Sequence, residues 1–258
     1  MKRTVDINCD LGESYGHFKV GQDSKIMPHI TSANVACGFH AGDPVTMAHT
    51  VKLAKKFGAA IGAHPGYPDL MGFGRREMKL NAEELKSYIM YQVGALQVFA
   101  KASGTNLQHV KPHGALYNIA ARDKNTAETI AEAILSIDSR LIVLGPPHSM
   151  IAKTASPKGL RLALEAFADR AYNPDGTLVS RSQPGSVIED PKLVVERARK
   201  MIEDGTVSAI NGETVHLGQI HTICVHGDTV NALEMARILK TRLLAAKIDV
   251  KPVGSFLE

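Results

Sequence analysis

The chain has 258 residues, 44% hydrophobic and 22% charged, the balance of an ordinary globular protein long enough to bury a sizeable core. Its 30 basic and 26 acidic residues leave a formal net charge of +4 with the signs mixed along the chain, and the absence of a basic stripe argues against a nucleic-acid partner. No apolar run approaches the roughly 18 residues of a membrane span, and Asp6, Asn8 and Asp10 cut short any signal-peptide core, so a cytoplasmic protein is expected.

From the amino end, Val5 to Asp10 reads as a strand that runs into Gly12-Glu13. Alternation puts Asp6, Asn8 and Asp10 on one face of it. They either line the mouth of a barrel as functional groups or form a hydrogen-bond network that only orders the interior. Ala33 to Cys37 is the second strand, followed by Gly38-Phe39-His40-Ala41-Gly42-Asp43. Small residues there let the backbone approach a ligand. Asp43-Pro44 is also a helix start, an N-cap with proline at N1, for a helix to about Phe57 stopped by Gly58.

Ala59 to Ala63 forms a third strand ending at His64-Pro65, and a fourth ends at Val110 before Lys111-Pro112-His113. Each proline restrains its predecessor to an extended conformation, which orients His64 and Lys111 in advance. Between them lies a long loop, Gly66 to Arg76, whose Arg75-Arg76 pair suits a carboxylate clamp or plain solvation. Asn81 with Glu84 makes a capping box for a helix to about Ser103, with Leu85, Ile89, Val93, Leu96 and Ala100 as its buried stripe.

A helix over 126–137, a strand at Leu141–Leu144 and another at Leu160–Phe167 follow, the last leading to Glu165, Asp169 and Arg170. Asp190-Pro191 opens a helix to Asp204, closed by Gly205. Asn211-Gly212 predicts a type I′ hairpin, a small antiparallel insertion. Thr222 to Val225 is the last strand of the alternation, ending at His226-Gly227-Asp228, and a helix from near Asp228 to Ala246 closes the chain.

Six or seven strands, each followed by a helix, fit a closed or nearly closed (β/α) barrel in one domain over 1–258. In such a fold the carboxyl ends of the strands share one face, where active sites are built. Asp10, Glu13, His40, His64, Lys111, His113 and Glu165 are therefore the candidate catalytic residues. Asn8, Asn34, Asp43, Arg75, Asp169, Arg170 and His226 are the candidate substrate-binding ones. Cys9, Cys37 and Cys224 have no CxxC spacing and read as buried small hydrophobes. GxxxxGK[ST], HExxH and GxSxG are absent. The strand-end histidines His40, His64, His113, His148 and His226 with Asp10 leave open a zinc or other divalent site.

The segments DINCDLGE (6–13), ANVACGFHAGD (33–43), HPGYPDLMGFGRR (64–76), KPHGALY (111–117), EAFADRAY (165–172) and VHGD (225–228) together resemble the LamB/YcsF family over essentially the whole chain. That resemblance implies a distorted or incomplete TIM-like barrel of the glycoside hydrolase/deacetylase type. It also implies an ATP-dependent opening of 5-oxo-L-proline (pyroglutamate) to L-glutamate with two partner subunits, B and C. Without a recognisable phosphate loop, the nucleotide site is expected to be shared with the partners or supplied by them. A metal-dependent deacetylase or hydrolase on the same barrel, and a non-catalytic regulatory chain that binds a ligand, are the competing readings.

Overall fold

A computed structural model describes residues 3–229 and 231–257. Strands β1 (Thr4–Leu11), β2 (Ser32–Ala36), β3 (Ala60–His64), β4 (Leu107–Val110), β5 (Ile142–Gly145) and β6 (Arg161–Phe167) follow one another around a parallel sheet. Past a separate antiparallel ribbon, β7 (Thr206–Ser208) with β8 (Thr214–His216), strand β9 (Thr222–His226) pairs with both β6 and β1. That double pairing closes a seven-stranded TIM-like barrel. A short β10 (Asp249–Val250) extends β1 at Thr4 and Val5, on the edge that β2 covers further along.

The helices are α1 (Asp23–Ile26), α2 (Pro44–Phe57), α3 (Ala82–Ala102), α4 (Gly114–Arg122), α5 (Lys124–Ile137), α6 (Met150–Ala155), α7 (Pro191–Asp204) and α8 (Ala232–Ala245). Their starts follow the local chemistry. Asp43 accepts from the amides of Val45 and Thr46 at 2.8 and 2.9 Å, and Gly58 ends α2 in the left-handed region at φ 73°. Asn81 and Glu84 form the reciprocal capping box of α3, whose buried face is Leu85, Ile89, Gln92, Val93, Leu96 and Ala100. Among the described residues no helix is long and apolar enough to cross a membrane.

Two expectations are corrected. The ribbon does not turn through a two-residue type I′ loop. Asn211 keeps a negative φ, and only Gly212 is left-handed, at φ 88°. Ala209 bonds to Glu213 across three residues, and Gly212 N–H returns to Ala209 O, the pattern of a type I turn with a glycine bulge. The last helix starts at Ala232 instead of near Asp228, whose carboxylate accepts from Arg75 at 2.6 Å. Val230, within the expected helix, lies outside the described residues.

The lumen of the barrel is unusually polar. A parallel barrel normally fills its interior with layers of branched apolar side chains. Here register places Asp6 beside Thr222, which is beside Glu165, and Asn8 beside Cys224, which is beside Phe167. Asp10 stands between His226 and Asn34. At the base, Asp6 is fully buried and accepts from the hydroxyls of Thr31 (2.7 Å), Ser32 (2.7 Å) and Thr222 (2.5 Å). Those three donors answer whether Asp6 orders the barrel: its network is complete without a ligand.

Burial outweighs those hydrogen bonds and raises the Asp6 carboxyl to about 6. A folded pKa above the ordinary 3.8 means that the native state holds its proton more tightly than the unfolded chain does. The resulting stabilisation is complete below pH 4 and is lost as pH rises through 6, a swing of about 3 kcal/mol at ~1.4 kcal/mol per unit. Asp6→Asn removes that titration. Urea unfolding at pH 4 and pH 8 should show wild type losing about 3 kcal/mol relative to the variant; parallel pH profiles would contradict the assignment.

Candidate active site

At the carboxyl ends of the strands a cleft of about 690 Å³ opens over the polar lumen. Asp10, Glu13, His64, Lys111, His113, Phe167, Arg170 and His226 are among its walls. That volume is within the ~300–1,000 Å³ of small-molecule sites.

Lys111 forms the floor. Its amide still bonds Ala63 O at 2.9 Å, so the ladder carries it one residue beyond β4 before Pro112 breaks away. The side chain turns inward and is 2% exposed. Its ammonium lies 2.9 Å from Asp10 Oδ1, 3.0 Å from Glu165 Oε1 and 3.0 Å from Cys224 Sγ. Asn8 Oδ1 is a further acceptor at 3.3 Å, and the Phe167 ring lies 5.4 Å away. Burial opposes the charge, but Asp10, then Cys224 and Glu165, more than offset it and hold the lysine well above its usual value. The same pairing acts on Asp10. Burial would raise it, yet His64 and Lys111 keep its carboxyl well below the usual range.

The supporting groups are bonded to one another, except that His109 Nδ1 has no partner among the described residues. Asn34 Nδ2 donates to Asn8 Oδ1 and Asp10 Oδ1, each at 2.7 Å. Asn8 Nδ2 donates to Glu165 Oε1 at 2.9 Å and Thr222 Oγ1 at 2.7 Å. The Tyr117 hydroxyl, on α4, donates to Glu165 Oε2 at 2.7 Å. His109 Nε2 contacts Asn34 Oδ1 at 2.7 Å. Its ring occupies the space that a side chain on Gly62 would fill, since a Cβ there would lie 1.9 Å from Nε2. Burial lifts the Cys224 thiol and the Tyr117 phenol well above their usual values.

A histidine cluster flanks Asp10. His64 Nε2 is 3.4 Å from Asp10 Oδ2 and 2.9 Å from His113 Nδ1. The other nitrogen of each ring faces a backbone carbonyl: His64 Nδ1 to Lys111 O at 2.7 Å, His113 Nε2 to Phe73 O at 2.8 Å. His40, with no exposed surface, stacks on His113 at 3.7 Å between centroids, and neither of its nitrogens has a hydrogen-bond partner among the described residues. Burial, then the neighbouring histidines, hold His40 and His113 well below the ordinary imidazole value. Glu13, on the loop after β1, puts Oε1 3.6 Å from His40 Nε2 and 3.9 Å from His113 Nδ1. Burial first, then Asp10, raises its carboxyl well above the usual range.

The opposite wall carries an Asp–His pair. His226 Nδ1 bonds Asp169 Oδ2 at 2.8 Å, which orients the ring, and it stacks on Phe167 at 5.5 Å. Asp169 is fully buried and holds its charge against desolvation through His226 and Arg170. Two groups of residues could hold a metal: Glu13, His40, His64 and His113, and separately Asp10, Cys224 and His226.

Not every expected residue faces the cleft. Asp10, Glu13, His64, Lys111, His113, Arg75, Arg170 and His226 do. Asn8, Asn34 and Glu165 lie beneath the floor with no exposed surface. Asp43, expected against substrate, has its carboxylate taken up in capping α2 and bonding Gly16 N–H at 2.9 Å. Arg170 donates to the carbonyls of Ser186 and Val179, so its guanidinium fixes the 168–190 loop. His148 is exposed at the rim and bonds His216 O, apart from the other histidines. His109 is not among the residues singled out from the sequence, although alternation from Lys111 puts both on one face of β4. Tyr117 sits within the KPHGALY segment, but only tertiary packing shows that it holds Glu165.

The LamB/YcsF family model matches residues 5–258, and the chain belongs to that family. It is 55% identical over 254 residues to the 5-oxoprolinase A subunit of Pyrococcus furiosus, covering 98% of this chain and 99% of that one. Against the 5-oxoprolinase A subunit of Alkaliphilus metalliredigens it is 51% identical, with the same coverage. Among solved structures, the lactam utilization protein from Thermus thermophilus superposes with a TM-score of 0.91 at 48% identity, over 96% of this chain and 99% of that one. The catalytic domain of a peptidoglycan N-acetylglucosamine deacetylase from Eubacterium rectale matches at a TM-score of 0.51 and 9% identity, over 98% and 89% of the two chains, which shows a shared fold alone.

Removing the lysine from this floor strands two buried carboxylates. Lys111→Met should cost about 3–5 kcal/mol in urea unfolding. Adding Glu165→Gln should recover at least about 1 kcal/mol of that loss, because it deletes one uncompensated charge. Additive losses would show that Lys111 and Glu165 are not coupled.

Proposed function

We propose that the chain is one of three components, the A component, of an ATP-dependent 5-oxoprolinase, opening 5-oxo-L-proline to L-glutamate as ATP becomes ADP and phosphate, in assembly with subunits B and C. The names of its close relatives suggest the substrate and the assembly. One observation in this chain carries the chemistry: Asp10 and the Asp169–His226 pair stand together where β1 and β9 run side by side, at the mouth of a cleft over a buried cation.

A lactam carbonyl is a poor electrophile, so ring opening needs activation. ATP phosphorylating the lactam oxygen gives an imidate phosphate and ADP. Water then adds to the ring carbon, the C–N bond breaks as nitrogen takes a proton, and an acyl phosphate remains. A second water releases phosphate and leaves glutamate. Two oriented proton carriers serve those steps. His226 is held in one orientation by Asp169, and Asp10 by Asn34 and Lys111. Lys111 supplies a fixed positive charge under the site, where an oxyanion is stabilised without solvent reorganisation. His64, His113 and Glu13 form the adjoining wall with His40 buried behind them, and Glu165 positions Lys111. The cleft also exceeds what a small cyclic amide fills, leaving room for part of a nucleotide, whose site in this reading is shared with or supplied by a partner surface.

In an assembly reconstituted with subunits B and C, His226→Gln should lower glutamate formation by about 10²-fold or more while the variant still assembles, in keeping with the usual weight of a general acid–base group. Unchanged turnover in both His226→Gln and Asp10→Asn would overturn the reading. So would ring opening at full rate by the isolated chain without ATP.

A further inference from the structure

The outward nitrogens of the paired histidines are already committed. A backbone carbonyl can only accept, so Lys111 O fixes the proton of His64 on Nδ1, and Phe73 O fixes that of His113 on Nε2. The two remaining nitrogens, His64 Nε2 and His113 Nδ1, face each other across 2.9 Å, a separation that needs a proton or a cation between them. His40, wholly buried, has no hydrogen-bond partner for either nitrogen among the described residues, and its Nε2 faces the Glu13 carboxylate at 3.6 Å. A buried polar side chain without a partner is costly and uncommon. The fold nevertheless packs around it closely: a Cβ on Gly66 would lie 2.7 Å from His40 Nδ1, and one on Gly74 would lie 2.6 Å from His40 Cβ. The ring is held in place with its donor atoms unused.

We propose that Glu13, His40, His64 and His113 bind one divalent transition-metal ion of the zinc class. The geometry fits. Metal–nitrogen and metal–oxygen bonds of about 2.0–2.2 Å in a tetrahedron set ligand atoms about 3.4 Å apart. The separations here are 2.9 Å (His64–His113), 3.6 Å (His40–Glu13) and 3.9 Å (His113–Glu13), and all four donor atoms lie within 4.8 Å of one another. The His40 and His113 rings lie parallel and stacked, 3.7 Å between centroids, so binding requires one of them to turn until both lone pairs meet at the ion. Three imidazoles and one carboxylate select zinc, or manganese, iron, cobalt or nickel, over magnesium and calcium, which prefer oxygen alone. The carbonyls behind His64 and His113 are the outer partners that ligating histidines usually have. The rival filler of the gap is a proton shared by His64 and His113, which would leave His40 and Glu13 unexplained.

This site adjoins Asp10 on the cleft wall, so what the ion would do rests on the ring-opening reading: polarise the lactam oxygen or a water beside it. Binding itself needs no substrate. The full chain, stripped by a chelator that is then removed, is titrated with Zn²⁺ against a chromogenic competitor, and with Co²⁺ followed by its visible d–d absorption. One equivalent per chain is expected, with the band of a four-coordinate, nitrogen-rich Co²⁺ site that Zn²⁺ displaces. Glu13→Gln and His113→Ala should each weaken binding by at least about tenfold, with His113→Gln in reserve if the alanine variant does not fold. His49→Ala, at an exposed histidine, should leave it unchanged. Substoichiometric uptake by wild type, equal binding by wild type and the cluster variants, or loss of binding in His49→Ala would each overturn the site. Because no turnover is read, failure of the ring-opening reading leaves this result standing, and the reverse holds too.

Discussion

One ammonium buried in a barrel lumen organises this molecule. Taking Lys111 out of water costs several kcal/mol, as does each carboxylate that meets it, and the desolvation is recovered only if every remaining donor and acceptor is used. They are used: Asp10 and Glu165 take the charge, and Asn8, Asn34, Thr222 and Tyr117 bond the oxygens that remain. An interior of leucine and valine would be simpler to stabilise. A polar one places a fixed charge and an ionised carboxylate under the cleft, in known orientations, before any ligand arrives. The barrel closes around this network, and its closure is what brings β1, β4, β6 and β9 into reach of one lysine.

The two sides of the cleft are built differently. On the β9 side His226 is tied to Asp169 and stacked on Phe167, so that ring is oriented by groups behind it. On the β3 and β4 side three imidazoles crowd together, two facing each other and one without a hydrogen-bond partner among the described residues. On the proposed reading, proton transfer belongs to the first wall and ligand capture to the second. The loops that complete both walls, 66–76 and 168–190, are tied back to the scaffold by Asp69–Arg76, by Arg75–Asp228 and by Arg170 on two backbone carbonyls. They make a rim fixed to the barrel.

Much of this is legible in one dimension because the signals are local. Asp43-Pro44, Asn81 with Glu84 and Asp190-Pro191 announce helices through capping chemistry that needs only neighbouring residues, and all three helices start where that chemistry puts them. The strand ends are legible too, since polar residues that interrupt apolar runs in an α/β alternation have few places to go. Depth is not. Asn8 and Asn34 look from their strands like residues of the mouth, but both are wholly buried, their amides spent on Asp10, Glu165 and Thr222. Asp228 reads as a helix cap until Arg75, 153 residues away, is found on its carboxylate. The hairpin shows the limit of a dipeptide signal, for Asn-Gly permits a left-handed pair without requiring one, and the strands here demand a bulge. His109 is within reach of alternation, and Tyr117 is not.

Placement of the substrate tests all of this together. Crystals of the chain soaked with 5-oxo-L-proline should show the ring in the cleft above Lys111, in contact with Asp10 and within hydrogen-bond reach of His226. A ring bound at the opposite end of the barrel, or outside the cleft with Asp10, Lys111 and His226 untouched, would contradict the account.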